Sequence, residues 1–185
     1  MGGQQSQQVS FDEPVQNHIR GIFDLALAVK NKNAPLQHQS VNVLKRNVEE
    51  WVDILNTVVP GGMAGTLMSK SLHDSVGDEI QLAFGILNCK CKMGKYGQCE
   101  NGKMLRTALA EVQQNHEKTV RALSAVLGDE ENWRRLWAHQ LLCMDNYFTL
   151  LANGATFPQL EEAKTACYQS GKNLALALNK KVCQT

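Results

Sequence analysis

Apolar residues recur along this chain at intervals of three and four, the period of a helix with one buried face. Six segments carry the pattern. The first opens at Ser10, which can cap a helix with Glu13 three residues on and Pro14 in the first turn. Val15, Ile19, Ile22, Phe23, Ala26 and Val29 then form its stripe. The second follows Asn33 and Pro35 and carries Val41, Leu44, Val48, Trp51 and Leu55, a heptad-like spacing. "VVPGGMAG" breaks it at Val58–Gly65.

The third segment presents Leu67, Leu72, Val76, Ile80, Ala83 and Leu87. The fourth presents Leu105, Leu109, Val112, His116, Val120, Leu123 and Leu127 and stops at Gly128. Acids in "GDEEN" suit the positive end of the fifth helix. Its stripe is Trp133, Trp137, Gln140, Met144, Tyr147 and Leu151, closed by Asn153-Gly154. Thr156, with Gln159 three on, opens the sixth, which carries Leu160, Ala163, Cys167, Leu174, Leu178 and Val182. No segment alternates with period two. The pattern predicts an all-α bundle of five to six mostly antiparallel helices, joined by short turns. Irregular structure is expected at 57–66 and 88–103. Residues 1–10 read as a flexible tail and 11–185 as one helical domain.

Composition agrees. The chain has 185 residues, 43% hydrophobic and 6% aromatic, with 4 prolines. That suits Leu/Val/Ala-built helices and is long enough for a real core. Net charge is +1, so no global field draws it to nucleic acid or membrane. No apolar run approaches membrane-spanning length. The opening residues contain no apolar h-region of a secretory signal, which leads to a cytoplasmic expectation with reduced thiols.

The tail changes the picture. "MGGQQS" fits the myristoylation pattern M-G-x-x-x-[ST], with Gly2 as acceptor and Ser6 in the favoured place. Removal of Met1 would leave an unhindered amine on a segment without charge until Asp12. The plainer reading is a Gln-rich tail. One myristoyl chain holds a membrane only marginally, so a second signal is needed. No Lys or Arg precedes Arg20, and no Cys precedes Cys89.

One source of that second signal is "NCKCKMGKYGQCENGK", Asn88–Lys103. From Lys90 to Arg106 five basic residues, Lys90, Lys92, Lys95, Lys103 and Arg106, face one acid, Glu100. Gly94, Gly97 and Gly102 keep the backbone open. Such a loop can touch anionic head groups or phosphate, although a solvated loop is the plainer reading. Its cysteines follow C-x-C-x7-C, tighter than a zinc clamp and short of a fourth local ligand. A Cys91–Cys99 disulfide would staple it under oxidising conditions, and Cys89–Cys99 is the other pairing.

Other chemistry finds little support. No Glu-x-x-His or Asp-x-x-His pair exists, which argues against an oxo-bridged di-metal bundle. His139 and Cys143 share a face at i, i+4 and with Cys167 and His116 compose the best conceivable zinc set. The plainer reading puts all four in or beside the core. No G-x-S-x-G, H-E-x-x-H or G-x-G-x-x-G occurs, so no enzyme, metal or cofactor is expected. Trp133 and Trp137 beside Arg134 and Arg135 suit a protein-interface hot spot, but a core stripe explains them more simply.

Two functions follow as expectations. The first is a non-enzymatic, membrane-apposed structural, scaffold or matrix-like protein, acylated at Gly2 and acting through membrane and protein contacts or self-assembly. Its layout resembles acylated viral structural proteins in kind, without a residue-by-residue match. The second is a soluble helical bundle that binds a ligand or metal around His116, His139, Cys143 and Cys167.

Overall fold

The computed structural model describes residues 10–58, 62–88 and 102–182. They form six helices and no strand: α1 (Asp12–Lys30), α2 (Ala34–Val58), α3 (Gly62–Asn88), α4 (Gly102–Leu127), α5 (Glu130–Ala152) and α6 (Phe157–Val182). Each helix packs on the next, and α6 returns to α1. The expected all-α bundle is what the chain forms. Helix extends into both stretches expected to be irregular: α2 runs to Val58, α3 begins at Gly62 and runs to Asn88, and α4 begins at Gly102.

Turn chemistry sets the boundaries. Asn33 caps α2 by accepting the Leu36 amide at 3.1 Å. Gly128 (φ +68°) and Asp129 (φ +63°) take the left-handed conformation that stops α4, and Gly154 (φ +72°) does so after α5. Thr156 and Gln159 form the expected cap, with Gln159 Oε1 accepting the Thr156 amide at 2.9 Å. At α1 the pairing differs: Ser10 Oγ bonds Asp12 at its carboxylate (2.8 Å) and its amide (3.2 Å), so Asp12 takes the place foreseen for Glu13.

The first and fifth stripes are buried as read from the sequence. The third is turned. Met68, Leu72, Val76, Leu82, Ala83 and Ile86 are buried, whereas Ile80 and Leu87 are half-buried. α1 lies against α2, α3 and α6, and glycines allow its close approach to α2 and α6. A Cβ on Gly21 would lie 2.9 Å from Leu44, and one on Gly171 would collide with Ile19 and lie 3.0 Å from Val15.

The two ends of the bundle differ. The Phe11 amide donates to Asn179 Oδ1 (2.8 Å), and Lys181 reaches Asp129 (3.8 Å). The start of α1, the end of α6 and the α4–α5 turn therefore share one end. Lys30 Nζ donates to the Ala152 carbonyl at the other (3.0 Å). Asn88 and Gly102 belong to this second end, because α3 and α4 run past His18 and Trp137 away from the α4–α5 turn.

Candidate functional site

The centre of the bundle holds a buried carboxylate. Glu79 on α3 accepts from His18 of α1 (2.9 Å, Oε2) and faces His116 of α4 (3.4 Å, Oε1). Burial alone would push the Glu79 carboxyl up. The charge of His18 and the hydrogen bonds from His116 and His18 outweigh it and hold the group down at about 2. Around this group runs a chain of edge-on rings: Phe11 to Trp51 (5.9 Å), Trp51 to Trp137 (6.0 Å) and Trp137 to His116 (6.3 Å).

Beside it lies a cavity of about 40 Å³, bounded by Val15, Ile19, Val48, Leu174 and the polar groups of Glu79 and Gln140. Its size matches about three water molecules. Trp51 Nε1, Ser75 Oγ and both amide atoms of Gln140 are buried without a protein partner among the described residues. A larger space, about 480 Å³, opens as a groove between α4 and α5. Trp137 and His116 stand near both spaces. Burial pushes the Asp145 carboxyl up at the groove's edge.

The four residues of the conceivable zinc set do not share a centre. His116 turns to Glu79, whereas His139, two residues past Trp137 on α5, bonds Ser170 Oγ at 3.0 Å. Cys143 and Cys167 do meet across α5 and α6 as free thiols. Burial pushes both thiols up, Cys167 to about 12. Among the described residues no three His, Cys, Asp or Glu side chains are grouped to hold a metal ion.

Trp133 and Trp137 are core residues. Arg134 pairs with Glu117 (3.1 Å) and Glu130, and Arg135 with Asn132 (2.9 Å), so the arginines flank a core stripe. Gly2, Lys90, Lys92, Lys95, Cys91 and Cys99 lie outside the described residues, and Lys103 and Arg106 are described only as part of the α4 backbone. No helix among the described residues is long and apolar enough to cross a membrane.

Glu79 was missed in the sequence, although a signal was present. Leu72, Val76, Glu79, Ala83 and Ile86 follow a 4-3-4-3 spacing, so an acid occupies a stripe position. Choosing Ile80 for that position rotates the face and hides it.

No protein-family model matches the chain, and no curated protein or solved structure matches it.

Proposed function

We propose that this protein is a non-enzymatic, membrane-apposed structural protein of the matrix or scaffold type, carrying a myristoyl chain on Gly2. The observation that carries the reading is the acceptor motif "MGGQQS" on an uncharged segment that leads into a firmly held helix start. Phe11 is fully buried, its amide bonds Asn179, and Asn179 Nδ2 bonds Asp12 at 3.0 Å. A chain inserted in a bilayer would thus pull on a fixed point of the bundle.

The second membrane signal is better sought in self-assembly than in the basic segment. The helix ends that flank that segment, Asn88 and Gly102, lie at the end of the bundle remote from Phe11. From Phe11 to Gly102 the helices span roughly 30 Å along their axes. Acyl chain and those helix ends would face one bilayer together only with the bundle lying on its side. Several weak acyl contacts in one oligomer give avidity without that constraint. The test is flotation with liposomes: the protein from eukaryotic cells floats, Gly2→Ala does not, and cross-linked oligomers float better than monomers. Equal behaviour of wild type and Gly2→Ala would refute the proposal.

A second reading keeps one observation, the unpartnered polar atoms of Trp51, Ser75 and Gln140 around the central cavity. On that reading the bundle carries a very small polar ligand, and Gly2→Ala changes nothing. Native mass spectrometry and metal analysis of the purified protein separate the two.

A further inference from the structure

We infer that the α4–α5 groove is the seat of the Gly2 acyl chain when the protein is off the membrane, an inference that rests on the acylated reading above. The groove is lined on its apolar side by Leu82, Leu109, Val120, Ala138, Leu141 and Leu142, and Gln113, Glu117, Arg134 and Asp145 are among its polar neighbours. Leu142 is 63% exposed in it.

Size selects the occupant. An apolar cavity of about 150 Å³ holds a six-carbon ring, so a fourteen-carbon chain needs roughly 350 Å³. The groove offers about 480 Å³ and the central cavity about 40 Å³. The sequence leads one to expect an acyl pocket beside the first helix. The space there is too small, whereas the groove is large enough. Arg134 to Asp145 covers roughly 16 Å of α5, close to the extended length of a myristoyl chain.

Reach agrees. Gly2 precedes Phe11 by nine residues, which span at most about 30 Å. Phe11 bonds Asn179, Lys181 one half-turn on meets Asp129, and Arg134 at the groove's near edge follows within about a turn and a half of α5. The segment carries no charge, and the amide link to Gly2 leaves none on the acyl chain. The apolar part of the lining therefore meets an uncharged guest. Release of the chain from the groove would then expose it to a bilayer when oligomers assemble, and the membrane would compete with the groove for one ligand.

The experiment uses full-length protein co-expressed with a myristoyltransferase and ¹³C-labelled myristate, its acylation checked by intact mass. Nuclear Overhauser contacts from the acyl carbons to the methyls of Val120, Leu141 and Leu142 are expected. Contacts to Val15, Ile19 and Val48 instead, or none, overturn the inference. So does a groove signal that follows protein concentration rather than acylation, because a second copy then fills the groove. Ala138→Trp, at an exposed position, should fill the groove and raise liposome flotation of the acylated monomer about ten-fold, and unchanged flotation counts against the inference. In a parallel arm, free myristate is added to Gly2→Ala protein. Shifts of the same methyls are expected, and their absence overturns the groove as an acyl site. If the transferase leaves Gly2 free, the membrane reading fails, and the free-myristate arm still decides the groove.

Discussion

His18 of α1 and Glu79 of α3, sixty-one positions apart, meet at 2.9 Å inside the bundle. Both are largely shielded from solvent, and His116 faces the other oxygen of the same carboxylate. The contact ties the first helix, which the Gly2 segment leads into, to the α3–α4 hairpin. A buried charge of this kind is weak evidence for stability as a whole but strong evidence that losing one partner is costly.

Removing the carboxylate should therefore destabilise the fold. Glu79→Ala is expected to cost about 3–5 kcal/mol at neutral pH, because His18 and His116 lose their shared acceptor. Denaturation in urea measures it. A cost below about 1 kcal/mol would mean that the histidines find other partners.

The same group predicts acid sensitivity. The carboxyl is held down at about 2 from an ordinary 4.5. A group lowered in the folded state contributes stability that is fully present above the unfolded value and lost as pH falls through the folded one. The window is therefore about pH 4.5 down to 2, and the contribution about 3 kcal/mol. Wild type should lose that increment across the window, and Glu79→Gln should not. Parallel curves for the two proteins would assign the acid sensitivity to other carboxyls.

Gly171 sets how closely α6 approaches α1. Gly171→Leu is expected to lower stability by roughly 2 kcal/mol or more, since the new side chain meets Ile19 and Val15. A control at half-buried Gly77, where an added Cβ touches nothing, should instead gain from Gly→Ala, by up to about 1 kcal/mol. Thermal unfolding of the two variants gives the comparison, and equal melting temperatures would remove the close-approach account.

Most of the architecture was legible because the apolar stripes have helical spacing and the turns carry Gly, Asn and Thr at the right places. The stripes of α1 and α5 needed no correction. In α3, Ile80 and Glu79 compete for one stripe position, and hydrophobicity alone favours the wrong one. Tertiary pairing with His18 and His116, distant in sequence, decides it. The separation of His116 from His139 was equally hidden: one faces α3 and the other α6, and spacing within a helix cannot say which neighbour lies across from each face. The groove was not legible at all, because it depends on how α4 and α5 diverge.

The buried thiols should be slow to react. Cys167 is fully buried and its thiol is pushed up to about 12. Peptide mapping after brief alkylation of native protein should find Cys167 unmodified, with full labelling only after denaturation. Rapid labelling in the folded state would show that α5 and α6 open readily.

The central claim is that Gly2 carries a fatty acyl chain. The most direct measurement is the intact mass of the protein from eukaryotic cells, with the N-terminal peptide sequenced by fragmentation. The account predicts loss of Met1 and addition of one myristoyl group on Gly2. A free or acetylated N-terminus in a host with active transferase would contradict it.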